Sequence, residues 1–402
     1  MLTTTEATDA IAATMPPFET ESVSLTAAVG RVLRQAVCAE RDQPPFDRVT
    51  MDGIAIRYAA LASGIRSFTI EGRQHAGDPQ QALAGDSSCI EIMTGAVLPA
   101  NTYCIVPIER TTTANQIVHI DPAYHAARSQ FIHCQGSDFR RHHRVLDDGQ
   151  RIAATDIAVI ASCGLDTVRV TKQPRVHVIS TGNELVAAGQ PLAAHQVRLS
   201  NGPAIVAMLQ SHGYANNQHD HIVDDRQQLQ RKLARHLLES EVLVLSGGVS
   251  MGKADFVPQV LRELGINVVF HKVSQRPGKP MWFGVGSDNR VVFALPGNPV
   301  SALVCCRQYV LPALAKASGC SPAKKEYARL DASFTMTAAL TCFLPIRLYS
   351  NPDGCLLATP APTNTSGDFA ALSGTDGYLE LAKEMSEFSS GSGWPLHRWD
   401  RL

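Results

Sequence analysis

The chain has 402 residues, with 36 Lys and Arg against 37 Asp and Glu, a formal net charge of −1 with histidine neutral, and 45% hydrophobic residues beside 18% charged ones. At roughly 150 residues per domain this length supports two to four domains with ordinary cores, and the balanced charge argues against a nucleic-acid binder. Its ten cysteines form no C-x-x-C pair, the start MLTTTEATDAIAATMPPFETE lacks a basic n-region, and no apolar run approaches the roughly 20 residues of a membrane span, so a reduced, cytoplasmic protein without a disulfide lattice, zinc ribbon or membrane anchor is expected.

Residues 1 to about 40 read as helical. Residues 5–15 are Ala-rich, and in 25–37 Val29, Val32, Leu33 and Ala36 recur at helical intervals behind a Thr26 N-cap, until Pro44 and Pro45 break the pattern. From about 46 to 139, short β-branched runs cut by Gly, Pro and Asp (GIAI, RSFTI, SCIEIM, YCIVPIER, QIVHI) predict a small β-rich module. Residues 140–173 return to a helical pattern, with 153–163 ended by Gly164 and expected to pack beside the N-terminal helices. In 174–323, VHVIS and VLVLS alternate with helical stretches at 201–212, 226–238 and 256–264. INVVFHKV, PMWFGV, RVVFAL and a helix starting near Asn298 follow, a pattern that predicts a doubly wound α/β domain with a parallel sheet covered on both faces. Residues 324–402 read as short strands with Pro and Gly turns.

In such a sheet, ligands bind where strands end at the carboxyl edge, so the loops leaving the strands are the candidates. They are Ser180-Thr181-Gly182-Asn183-Glu184, Val223-Asp224-Asp225, Ser246-Gly247-Gly248-Val249-Ser250-Met251-Gly252 and Leu295-Pro296-Gly297-Asn298-Pro299. Glycine lets backbone N–H groups approach an anion, so the SGGVSMG loop suits a phosphate. Asp255 reads equally as an N-cap of the helix after it, as does Asn298 with Pro299 at the first helical position, and Asp224 and Asp225 read more readily as turn residues. Glu184, an acid in a glycine turn, suits a divalent cation bridging phosphates. Arg276 and Lys279, in a loop stiffened by Pro277 and Pro280, form either an oxyanion site or a solvated basic turn. In the β-rich module, Asp47 and Asp52 lie in a loop fixed by Pro and Gly, with Asp52-Gly53 also a plain turn dipeptide, and Thr94 ends another strand. The histidine pairs His142-His143 and His219-x-His221 lack Cys or acidic partners at metal-site spacing and receive no role.

Taken in order and spacing, PPFDRVTMDGIAIR, EIMTGAVLP, VISTGNEL, LVLSGGVSMGKADF, RPGKP and LPGNPVSA resemble the MoeA family of molybdopterin molybdenumtransferases, which includes the E domain of gephyrin, over nearly the whole chain. The resemblance implies a homodimer of four-part subunits: a helical linker region (1–45 and 140–173), a β-rich module (46–139), an α/β molybdopterin-binding domain (174–323) and a C-terminal β-barrel (324–402). It implies insertion of molybdate into the dithiolene of adenylylated molybdopterin with release of AMP, with Mg²⁺ held by Glu184 or Asp255. Asp52, Thr94, Glu184 and Asp255 match positions implicated in the reaction. Asp138, Asp224, Asp225, Ser246, Gly247, Gly248, Ser250, Arg276, Lys279, Pro296, Gly297, Asn298, Pro299 and Ser366 match substrate-binding positions. Asp52 is implied to face the α/β cleft across the subunit interface, and other molybdenum-cofactor synthesis proteins are implied as partners.

Lys253, Leu199, Arg48 and the arginine-free segment 341–345 depart from the family pattern and change charge near the anion site. The competing readings are a non-catalytic molybdopterin-binding scaffold or degenerate paralogue of the same fold, and a molybdopterin adenylyltransferase. Asp52 and the three extra modules argue against the adenylyltransferase.

Overall fold

The structure, a computed structural model, describes residues 1–249, 256–336 and 339–400. Ser250, Lys253 and Asp255 therefore lie outside the described residues. Among the described residues no helix is long and apolar enough to cross a membrane.

The chain opens with helix α1 (Thr4–Thr14), fixed by a reciprocal cap: Thr3 Oγ1 accepts the Glu6 N–H at 3.2 Å while Glu6 Oε2 accepts the Thr3 N–H at 2.8 Å. Two otherwise orphaned donors are satisfied, an arrangement typically worth about 1 kcal/mol. Ala7 and Ile11 on its inner face are buried in one core with Val273, Tyr309 and Leu314, so α1 is part of the α/β core. The helix expected over 25–37 covers only Leu25–Ala28. Beyond it Gly30 takes a positive φ of 80°, and Val32 and Leu33 bridge to Arg151 and Val170, so tertiary strand pairing overrides the local helical spacing.

The chain divides into two compact units. One comprises Ala36–Asp147 and Ala154–Asp166. It holds a six-stranded sheet built from β1 (Gly53–Ile56), β2 (Ser67–Gln74), β3 (Ser88–Ile92), β4 (Cys104–Pro107), β5 (Thr111–Ala114) and β6 (Ile117–Ile120), in the order β4-β1-β3-β2-β6-β5. Every run expected as a strand there forms one. Central β1 is buried along its whole length, which is why GIAI is apolar without alternation. Helix α2 (Ala154–Ser162), closed by Gly164 at φ 80°, belongs to this unit, whereas α1 belongs to the other.

The other unit carries the α/β sheet, formed by β7 (Val176–Thr181), β8 (Asn217–Ile222), β9 (Val242–Ser246), β10 (Ile266–His271), β11 (Trp282–Gly286) and β12 (Val291–Leu295). Their order is β8-β7-β9-β12-β11-β10. Strands β8, β7, β9 and β12 are mutually parallel, but β11 runs antiparallel to both neighbours. The expected all-parallel sheet is thus mixed, because only residues 287–290 join β11 to β12 and a parallel crossover needs a dozen or more. Helix α3 (Asn201–Ser211) packs one face, with α1, α6 (Pro299–Cys305) and α7 (Leu311–Ala317), while α4 (Arg226–Glu239) and α5 (Val257–Glu263) pack the other. Fully buried Trp282, Phe283 and Phe293 anchor these cores, each worth about 1.5–3 kcal/mol of transfer free energy.

Strands β13 (Glu326–Leu330), β14 (Thr341–Ser350), β15 (Leu356–Pro360), β16 (Gly377–Leu381) and β17 (Gly393–Arg398) close into a barrel in the order β14-β15-β13-β17-β16, since β16 pairs back onto β14. Gln275–Arg276 adds to β14, which ties the barrel to the α/β sheet.

Candidate active site

Because β7, β8, β9 and β12 run parallel and β10 shares their direction, the loops after all five open at one carboxyl edge. The glycine loop after β9 is held against the turn after β7. Gly247 has φ 101°, and a Cβ there would lie 2.6 Å from the Thr181 carbonyl oxygen and 2.8 Å from Thr181 Oγ1. Only glycine allows that approach, which buries Gly247 with its N–H on the Leu295 carbonyl at 3.2 Å and leaves Gly248 half-buried. Thr181 Oγ1 is buried with no hydrogen-bond partner among the described residues.

Asn201, at the start of α3, ties two loops together. Its amide donates to Ser246 Oγ at 2.8 Å and to the Gly297 carbonyl at 2.7 Å, and Gly297 lies over Gly247, its ideal Cβ position 3.6 Å from the Gly247 Cα. Ser246 Oγ in turn reaches the Pro296 carbonyl at 3.3 Å. The two Gly-containing loops thereby form one rigid wall. Asn298 begins α6 but its side chain makes no cap; it donates to Ser366 Oγ of the barrel region at 2.6 Å, while the Ser366 carbonyl accepts the Val300 N–H at 3.1 Å. Pro299 occupies the first turn of that helix.

Glu184 is exposed at the turn after β7 and its carboxylate forms no ion pair among the described residues. Asn183 beside it accepts the Asp224 N–H at 3.0 Å, which joins the turns after β7 and β8. Asp225 caps α4, its Oδ1 accepting the Gln228 N–H at 2.8 Å, so its carboxylate is committed at least in part to the helix. Arg276 and Lys279 are exposed and neither pairs with a carboxylate among the described residues. Their loop is built from beneath: buried Gln275 donates to the carbonyls of Pro277 (3.1 Å) and Gly278 (3.3 Å) and accepts from the Tyr309 hydroxyl. Two cations on a braced loop therefore face solvent at the same carboxyl edge as the glycine loops, which is the chemistry of an oxyanion site.

In the β-rich unit, Asp52 Oδ1 accepts both the Thr94 N–H (2.6 Å) and the Thr94 hydroxyl (2.7 Å). Those two donors, the backbone one foremost, hold the exposed carboxyl below the usual carboxylate range. Gly53 fixes this acid's position: a Cβ there would stand 2.0 Å from the Val106 carbonyl oxygen across the β1–β4 pair. Asp47 Oδ1 accepts the Gln135 N–H at 2.8 Å and so is a loop brace. Asp138 receives His133 Nε2 at 2.8 Å, while Arg48 donates to His133 Nδ1 at 3.1 Å, so the unusual Arg48 sets the tautomer that points a proton at Asp138.

Within the α/β unit, the structure brings Glu184, Asp224, Asp225, Ser246, Gly247, Gly248, Arg276, Lys279 and Pro296–Pro299 to one edge, with Ser366 attached through Asn298. Within the other unit it joins Asp52 to Thr94 and Asp138 to His133. Sequence reasoning gave no individual role to Thr181, named only within its loop, or to Asn201. The signal for Asn201 was a polar amide opening the first helix after a carboxyl-edge loop, and Thr181 gave none beyond its place before Gly182.

The family description of the MoeA N-terminal region (domain I and II) matches residues 2–164, that of a probable molybdopterin binding domain matches 177–316, and that of the MoeA C-terminal region (domain IV) matches 327–394. A molybdopterin molybdenumtransferase from Synechocystis sp. is 38% identical over 401 residues, spanning 99% of this chain and 100% of the relative. One from Haemophilus influenzae is 32% identical over 326 residues, 81% of this chain and 80% of the relative. The crystal structure of a molybdopterin biosynthesis MoeA protein from Pyrococcus horikosii matches with a TM-score of 0.81 at 27% identity, covering 99% of both chains. With its sheet order, glycine wall and three regions all accounted for, the chain belongs to the MoeA family of molybdopterin molybdenumtransferases.

Proposed function

We propose that this protein is a cytoplasmic, homodimeric transferase that inserts molybdate into the dithiolene of adenylylated molybdopterin and releases AMP, closing molybdenum cofactor synthesis. One observation supports the reading most directly: the joined loops of Gly247, Gly248 and Gly297 open at the same carboxyl edge as the exposed cations Arg276 and Lys279. Loops free of side chains at Gly248 and exposed Gly297 leave room for the phosphates of an adenylylated pterin, and the two cations concentrate a dianion such as molybdate.

Exposed carboxylate oxygen is the ligand that a hard divalent cation prefers, so Glu184 fits Mg²⁺, and Asp224 lies on the adjoining turn. Bound there, Mg²⁺ would screen the pyrophosphate charge. The side chains supply the rest. Two Mo–S bonds form as two thiol protons leave with one oxo ligand as water, a water molecule cleaves the P–O–P bond so that AMP departs, and an acid kept ionised, as Asp52 is by Thr94, can pass protons between these groups. In this proposal a second copy of the chain contributes Asp52 to the cleft.

The test is AMP release from adenylylated molybdopterin by the purified protein with Mg²⁺, with and without molybdate, beside Asp52→Ala and Glu184→Ala. Molybdate-dependent release that both variants lose supports the reading. Binding without release replaces it with the scaffold.

A further inference from the structure

A second constellation lies at the other end of β7, on the face covered by α4. His177 on β7 is 7% exposed and His236 in the last turn of α4 is 2% exposed, and their ring centroids are 4.5 Å apart. The outer nitrogens are engaged: His177 Nε2 with Gln218 Oε1 at 3.1 Å, and His236 Nε2 with Asp220 Oδ2 at 3.0 Å. An amide oxygen and a carboxylate can only accept, so both Nε2 atoms carry the proton and both Nδ1 atoms present a lone pair. Both Nδ1 atoms are buried and neither has a hydrogen-bond partner among the described residues. Two buried lone pairs on rings 4.5 Å apart lack a donor, and a cation between the rings is a group that satisfies both at once. Glu239, three residues after His236 on the same helix face, brings Oε2 to 3.9 Å from His236 Nδ1. One ligand atom from each of the three residues lies within 4.8 Å of the others.

We propose that His177 Nδ1, His236 Nδ1 and the Glu239 carboxylate bind a divalent transition-metal ion of the Zn²⁺ class. Two imidazoles and one carboxylate select Zn²⁺ or Co²⁺ over Mg²⁺, which demands oxygen, so the site is distinct from any cation at Glu184. Asp220 has the place of the carboxylate that orients a ligating histidine through its far nitrogen, and Lys232 at 3.2 Å holds Asp220 in turn. Tetrahedral ligation places ligand nitrogens roughly 3.3 Å apart, so a small ring rotation closes the site. Glu239 gives up only an exposed contact with Arg235 at 3.5 Å, the weak kind of ion pair. The ion would pin the end of α4 to β7, and the other end of that helix begins at Asp225 on the active edge.

The full-length protein, stripped with chelator, is titrated with Zn²⁺ by calorimetry in millimolar Mg²⁺ and with Co²⁺ by visible absorption. Beside it run Glu239→Gln, whose exposed position spares the core, and His177→Gln. The expected result is about one Zn²⁺ per chain that Mg²⁺ does not displace and that raises the melting temperature, with affinity at least tenfold weaker in Glu239→Gln and tetrahedral Co²⁺ bands lost in His177→Gln. Absence of Zn²⁺ uptake by the wild type, or uptake unchanged in Glu239→Gln, overturns the site; an unfolded His177→Gln leaves the Glu239→Gln comparison decisive.

Discussion

Asn298 gives its side-chain amide to the Ser366 hydroxyl at 2.6 Å instead of capping the helix it begins, so a cleft loop of the α/β sheet and a loop of the barrel region move as one piece. Ser366→Ala removes that tie without disturbing a core. An exposed hydrogen bond of this kind contributes about 1 kcal/mol, so the KM for adenylylated molybdopterin should rise about fivefold with little change in melting temperature. Steady-state kinetics beside a thermal melt separates this from simple destabilisation, and an unchanged KM rules out the coupling.

The Asp52–Thr94 pair predicts a pH effect of definite sign. Thr94 lowers the Asp52 pKa through its N–H and its hydroxyl, so the ionised acid persists to lower pH than an isolated carboxylate would. Any stability the pair adds is present above the unfolded pKa and is lost as pH falls through the lowered folded value. Thr94→Val deletes the hydroxyl donor but keeps the backbone donor, the larger cause. The acid limb of the kcat/KM profile should therefore move to higher pH, by less than in a protein lacking both donors, while activity at neutral pH is largely retained. A limb that stays in place would show that Asp52 is not the group that must be ionised.

How far the sequence reaches depends on what positions each residue. Continuous apolar runs such as VLVLS announce buried central strands, and that pattern alone places the loops after them on one edge. Strand β8 was legible only through the Val223–Asp225 loop after it, because Asn217–Ile222 reads NQHDHI, the polar composition of an edge strand paired only with β7. The direction of β11 was hidden because periodicity carries no sign, and the short turn at 287–290 decides it. Likewise, apart from the family resemblance, Thr94 reads only as a hydroxyl at a turn, since its tie to Asp52 spans 42 positions. His177 and His236 escaped notice for the same reason, being far apart in the chain and brought together only when α4 packs on β7.

The glycine wall can be tested by adding single methyl groups. At Gly247 a Cβ meets the Thr181 carbonyl oxygen at 2.6 Å with φ at 101°, so Gly247→Ala must displace backbone and should cost about 2–3 kcal/mol. At Gly297 the nearest atom would be 3.6 Å away, ordinary contact, so Gly297→Ala should fold with near wild-type stability and weaken binding only by narrowing the cleft. Denaturant melts of the two variants should differ by most of that cost. Equal melts would mean that the loop is softer than its packing indicates.

Shared sites between subunits make the last prediction. If the cleft of one subunit is completed by Asp52 of another, Asp52→Ala and Glu184→Ala each abolish both sites of their own homodimers, yet a mixed dimer retains one site with both acids intact. Random reassortment of equal amounts places half the dimers in that mixed state. About a quarter of wild-type AMP release should then return on co-refolding or co-expression, with neither variant active alone. Each subunit using its own Asp52 and Glu184 gives the opposite outcome: every cleft, in mixed dimers too, lacks one acid and no activity returns. The stoichiometry of recovery thus reads out which chain supplies Asp52, and a monomer in solution excludes sharing outright.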